Sequence, residues 1–86
     1  MVAKEVCVKN SSGLHASPAT LLVKKASSFK SDISIVFYGK KANVKSLIGV
    51  LSLAVTKDAL IKVVASGDVE SLAVDDIVKL VETLED

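Results

Sequence analysis

Apolar and polar residues alternate from Val2 to Val8: Val2, Val6 and Val8 share one parity, Lys4 interrupts that row, and Cys7 lies on the other. A period of two marks a half-buried strand, because successive side chains point to opposite faces of a sheet. Asn10-Ser11-Ser12-Gly13 then ends the run with turn-forming residues. Beyond it the period changes. Ala19, Leu22, Val23 and Ala26 recur at helical spacing, which predicts an amphipathic helix over about Ala16 to Ser27, with Phe29 closing over its end. Alternation returns from Ser31 to Tyr38, with Ile33, Ile35 and Phe37 toward the core and Asp32 and Ser34 away from it. Gly39-Lys40 turns the chain into a third strand through Ala42 and Val44. A short helix is predicted over about Ser46 to Leu53, and a fourth strand over Leu60 to Ser66. Gly67-Asp68 opens a last helix, in which Ala73, Ile77, Leu80, Val81 and Leu84 repeat on one face.

The predicted order βαββαβα, in a chain of 86 residues, fits an α+β fold of the open-faced β-sandwich kind. A four-stranded antiparallel sheet carries three helices on one face and leaves the other largely solvated. This length is expected to form a single domain, 1–86, with no room for a second core. Half of the residues are apolar and only 3% are aromatic, so the core is expected to be aliphatic. That composition excludes disorder. No apolar run reaches the roughly 18 residues that a membrane span needs, and no signal-peptide pattern opens the chain. A cytoplasmic protein without membrane insertion is expected. One cysteine and one histidine make neither an internal disulfide nor a zinc-ligand pattern, so no structural metal is expected. Cys7 reads as a buried strand residue rather than a reactive thiol.

Charge is distributed unevenly along the chain. Residues 1–62 hold ten of the eleven lysines against Glu5, Asp32 and Asp58, a net +7, whereas residues 63–86 carry a net −6. A basic first part suggests an acidic protein partner, although most of these lysines also suit an ordinary solvated surface. Nucleic acid fits poorly, because the chain has no arginine, no tryptophan and few aromatics with which to read or stack on bases.

Candidate chemistry centres on the only histidine, in Gly13-Leu14-His15-Ala16-Ser17-Pro18-Ala19. Imidazole changes charge near neutral pH and its nitrogen is nucleophilic enough to take a phosphoryl group reversibly. A helix start supplies unpaired N–H donors and the positive end of a dipole, worth about 0.3–1 kcal/mol to an anion at an exposed site. Pro18 falls in the first turn, where its missing N–H costs little, and Ala16 and Ser17 keep theirs. Gly13 permits a sharp turn before the ring. Spacing alone suits a plain surface histidine equally well. A second segment, Lys45-Ser46-Leu47-Ile48-Gly49-Val50-Leu51-Ser52-Leu53, carries an acceptable N-cap in Ser46. Leu47, Val50 and Leu51 suit its core face, yet Ile48 and Leu53 add more apolar surface than so short a helix can bury. An exposed apolar patch on a small protein points to a partner. Phosphate on Ser46 would meet a helix start and add about −1.5 to −2 charge to that patch.

With Gly13-Leu14-His15-Ala16, Pro18-Ala19-Thr20, Lys45-Ser46, Gly49-Val50 and Ser52-Leu53 in this order, the chain resembles, over nearly its whole length, the HPr family. These are the histidine phosphocarriers of the bacterial phosphoenolpyruvate:sugar phosphotransferase system. The resemblance implies that His15 accepts phosphate at Nδ1 from phospho-Enzyme I and donates it to IIA proteins or domains of sugar permeases. It implies phosphate contacts at Ala16, Ser17 and Pro18, and regulatory phosphorylation of Ser46 by an ATP-dependent HPr kinase/phosphorylase. The Gly49-Val50 version of the second helix looks like the low-GC Gram-positive branch, in which the serine-phosphorylated form partners a catabolite control protein. Thr20, Leu21, Lys24, Leu47, Ile48 and Leu51 would share a docking surface on a monomer. No cofactor is implied, and no second acid or base, P-loop or metal set suggests turnover of its own. One position departs from the pattern: the family usually has arginine before the active-site proline, and this chain has Ser17. A serine hydroxyl is one neutral donor where arginine offers a charged fork, a handicap of roughly tenfold in transfer that Lys24 or Lys45 would have to offset. A paralogue signalling mainly through Ser46 is therefore a second reading, and a small-molecule-binding regulatory domain of similar build a third.

Overall fold

A computed structural model of the chain describes residues 1–84. Its elements are β1 (Val2–Cys7), α1 (Ala16–Ser27), β2 (Asp32–Phe37), β3 (Lys40–Asn43), α2 (Leu47–Ser52), β4 (Leu60–Ser66) and α3 (Glu70–Glu82). All pairings are antiparallel, in the order β1-β4-β2-β3, so the last strand in sequence fills the gap between the first two. The predicted architecture is the one observed. β2 and β3 are joined by Tyr38-Gly39, both at positive φ (49° and 77°), the left-handed pair that matches a two-residue hairpin to the twist of its strands.

Register places the core residues of neighbouring strands side by side: Val6 faces Ile61, Ile35 faces both Val63 and Ala42, and Ile33 faces Ala65. The helices cover this face, burying Ala19, Leu22 and Ala26 from α1, Val50 from α2, and Ala73, Val74, Ile77 and Val81 from α3. Every side chain at the centre is aliphatic; Phe29 and Phe37 pack only at its margin, as the aromatic-poor composition requires. Each buried valine, leucine or isoleucine contributes about 1.5–3 kcal/mol by leaving water, and each alanine less.

Several expectations are refined. Lys4 breaks the apolar row of β1 because it sits on the edge strand beside α3, where its ammonium reaches Asp75. The N-terminal amine pairs with Glu70 at 2.7 Å, and Lys25 approaches Asp76 at 3.9 Å. Part of the segregation of sign between the two ends of the chain thus serves pairing of α3 with β1 and α1 at the surface. Cys7, expected to be buried, is half-buried, because its parity points to the open face of the sheet. In α2 only Val50 is fully enclosed; Leu47 and Leu51 are each 37% exposed, while Leu53, just past the helix, is the leucine that turns into the core. No helix among the described residues is long and apolar enough to cross a membrane.

Candidate functional site at the start of the first helix

α1 begins where the chain is pinned before it. The Leu14 N–H donates to the Val55 carbonyl at 3.0 Å, and the Leu14 side chain is buried. Gly13 adopts φ +65°, and a Cβ there would lie 2.3 Å from the Val55 oxygen and 2.7 Å from the Thr56 Cα. Only glycine can bring this backbone so close to the loop between α2 and β4. His15 follows as the N-cap of α1, with extended backbone, φ −83° and ψ −170°. Its carbonyl accepts from the Ala19 N–H at 2.9 Å and so closes the first turn.

The His15 side chain makes no capping bond and is exposed. Ala16 and Ser17, also exposed, have no intrahelical acceptor for their N–H groups, while Pro18, buried one position on, has no N–H to satisfy. The first turn carries no acidic residue. The start of α1 thus leaves two backbone donors and the positive end of the helix dipole open to an anion, with no carboxylate in its first turn. Thr20, one turn along, donates its hydroxyl to the Ala16 carbonyl at 2.7 Å.

Of the two lysines considered as substitutes for a family arginine, Lys45 is placed elsewhere: its Nζ donates to the Phe29 carbonyl at 2.7 Å, past the far end of α1. Tertiary packing thus fastens Lys45, two residues before α2, to the end of α1 opposite His15. Lys24 stays exposed, about 12 Å along the helix axis from Ala16 at 1.5 Å per residue.

Ser46 is the N-cap of α2, as read from the sequence. Its Oγ accepts from the Gly49 N–H at 3.1 Å, its N–H donates to the Asn43 carbonyl at 3.0 Å, and its side chain is exposed. α1 and α2 pack against each other. Leu21 on α1 and Leu47, Ile48 and Leu51 on α2 are exposed apolar residues, Ile48 the most open at 81%; Thr20 and Lys24 of α1 are also exposed, and Leu21 and Lys24 line a groove with Leu80 of α3. Every residue assigned to docking from the sequence is exposed. What sequence reasoning missed is the loop 54–58, whose Val55 and Thr56 form the wall behind Gly13. The sequence carries no signal for it: Ala54 and Asp58 hold positive φ, 54° and 66°, without being glycine.

The profile of the PTS-HPr family, described as the PTS HPr component phosphorylation site, matches residues 2–83. The chain belongs to that family. It is thereby an HPr-type phosphocarrier of the phosphotransferase system. The phosphocarrier protein HPr of Buchnera aphidicola subsp. Baizongia pistaciae is 40% identical over 84 residues, covering 98% of this chain and 99% of that protein. Among solved structures, HPr-C-His from Thermoanaerobacter tengcongensis is similar with a TM-score of 0.93 and 41% identity, over 96% of this chain and 93% of that one. Crh, a catabolite repression protein of Bacillus subtilis crystallised as a swapped dimer, is similar at a TM-score of 0.78 and 38% identity, over 95% and 94% of the two chains. HPr and Crh thus share this fold with the chain, and the residues at the two helix starts bear on which of them it behaves like.

Proposed function

We propose that His15 is the phosphoryl acceptor and that the chain relays phosphate from Enzyme I to IIA proteins or domains in the cytoplasm, as a monomer. In this reading a neutral ring nitrogen of His15 offers its lone pair to phosphorus, the bond from phosphorus to the donor breaks, and the reverse exchange passes the group on. The observation that carries it is an exposed imidazole at a helix start, with no hydrogen bond of its own to the helix, beside the N–H groups of Ala16 and Ser17. Those donors stabilise the bound phosphate by a modest amount, which suits a group that must leave again. The protein acts as substrate and donor for its partners, with no turnover of its own and no cofactor. The apolar patch of Leu21, Leu47, Ile48 and Leu51, with Thr20 and Lys24, is the surface through which they dock. Ser46 lies beside it, so phosphate added by an HPr kinase/phosphorylase would place negative charge on the docking surface and oppose acidic partners. The same modification would suit recognition by a catabolite control protein.

A second reading is a Crh-like protein acting mainly through Ser46. Ser17, in place of the family's arginine, and the likeness to Crh favour it. One experiment separates the two. Phosphoenolpyruvate with Enzyme I should give an acid-labile label that His15→Ala removes, and ATP with the kinase an acid-stable label that Ser46→Ala removes. Absence of the first label with active Enzyme I, and presence of the second, would establish the signalling reading instead.

A further inference from the structure

The peptide unit between Gly13 and Leu14 is held at both of its polar ends. Its N–H, on Leu14, donates to the Val55 carbonyl at 3.0 Å. Its carbonyl, on Gly13, accepts from Nδ2 of the Asn10 side chain at 2.7 Å. The Gly13 N–H donates back to the Asn10 carbonyl at 3.1 Å, so the two residues are bonded to each other twice. Because a peptide unit is planar, pinning both ends fixes its orientation. Only φ and ψ of the buried Leu14 then separate that fixed plane from the peptide that ends at the Cα of His15. From the other side, the His15 carbonyl is held by the Ala19 N–H.

Asn10 is 7% exposed, and its Oδ1 has no hydrogen-bond partner among the described residues. For stability alone this is a poor arrangement, since a buried acceptor without a partner costs at least as much as one neutral hydrogen bond contributes. Asn10 therefore adds little to folding while it makes one short, well-placed bond two residues from the reactive ring. We infer that Asn10 is a positioning residue for phosphoryl transfer: its side-chain amide orients the Gly13–Leu14 peptide and thereby sets where the His15 ring stands relative to the Ala16 and Ser17 N–H groups. It touches neither the phosphoryl group nor the partner. Its effect belongs to the chemical step, where small misplacements of a reacting group reduce rate steeply, and not to docking. The inference rests on His15 as the acceptor.

The test is steady-state transfer from phospho-Enzyme I to the full chain, after confirming that the parent protein takes an acid-labile label. Asn10→Ala should lower kcat by about tenfold, leave KM for the carrier within about twofold, and shift Tm by less than about 3 °C. Asn10→Asp, equal in size but unable to donate when ionised, should lose at least as much at neutral pH. Taken as a ratio to the parent at the same pH, so that protonation of His15 and loss of the acid-labile label affect both proteins alike, its deficit should narrow as the carboxyl regains a proton to donate. A parent that takes no label overturns the assignment of His15. A parent that labels, with an Asn10→Ala kcat equal to its own or a loss confined to KM, overturns the role of Asn10 alone. Should either variant fail to fold, nuclear magnetic resonance of the parent decides: Asn10 side-chain amide protons that exchange with solvent as fast as a free amide would refute the clasp.

Discussion

Helices α1 and α2 both begin on a residue proposed to carry chemistry, yet the two starts are built in opposite ways. At α2 the Ser46 hydroxyl is spent on structure, since it accepts from the Gly49 N–H at 3.1 Å and caps the helix. At α1 the His15 ring caps nothing, and the turn is secured instead by Pro18, by the Ala19 bond to the His15 carbonyl, and by the loop that holds Leu14. A carrier group must be free to be loaded and unloaded, so its scaffold is supplied by others. A regulatory hydroxyl can double as scaffold, because phosphate at a helix start keeps acceptor oxygens where the hydroxyl had one. In the proposed roles, stability and reactivity are thus separated at His15 and merged at Ser46.

The sharpest way to break this comparison is to disturb the borrowed scaffold. Gly13→Ala places a methyl group 2.3 Å from the Val55 oxygen at φ +65°, and should cost about 3 kcal/mol or more in chemical denaturation. Gly39→Ala, whose new Cβ meets nothing within 4 Å at φ +77°, should cost only about 1–2 kcal/mol from backbone strain. Equal losses would mean that the loop 54–58 does not support the His15 site. A middle-sized effect concerns the phosphate itself. Ser17→Arg adds a charged fork at the second residue of α1, and should speed transfer from Enzyme I about tenfold, near 1.4 kcal/mol. Equal rates would show that the backbone donors suffice without it. The smallest effects compare the caps directly. Ser46→Ala removes a capping bond and should lower stability by about 1 kcal/mol, whereas His15→Ala removes none and should stay within about 0.5 kcal/mol. A thermal or denaturant series on the two variants checks both, and a His15→Ala loss as large as that of Ser46→Ala would undo the distinction drawn above.

Most of the fold was legible because each element obeys its own period. α1 and β4 fall at the predicted bounds, and the other strands and helices differ by a residue or two at their ends, where side-chain periodicity stops informing. The placing of the proposed site was legible for a different reason. His15, Pro18 and Ser46 stand at helix starts, and that position is a local property of the chain. Spacing left Lys24 and Lys45 as equal alternatives, and only the fold shows that the Lys45 ammonium is held by the Phe29 carbonyl, sixteen residues away in sequence. Leu47, Leu51 and Leu53 look alike in sequence, and only tertiary packing decides that Leu53, just past α2, is buried and the other two are partly open. The wall behind Gly13 was invisible for the same reason, since Val55 and Thr56 carry no motif.

By itself, the amino-acid order determined the succession of strands and helices, the aliphatic make-up of the core, and the placing of a histidine and a serine at two helix starts. These depend on periodicity and capping, which act over a few neighbouring residues. Tertiary structure alone decided that β4 enters between β1 and β2, that the loop 54–58 closes on Gly13, and which leucines face outward. Those outcomes depend on contacts between segments far apart in the chain, where packing and backbone hydrogen bonding are settled by all the elements together.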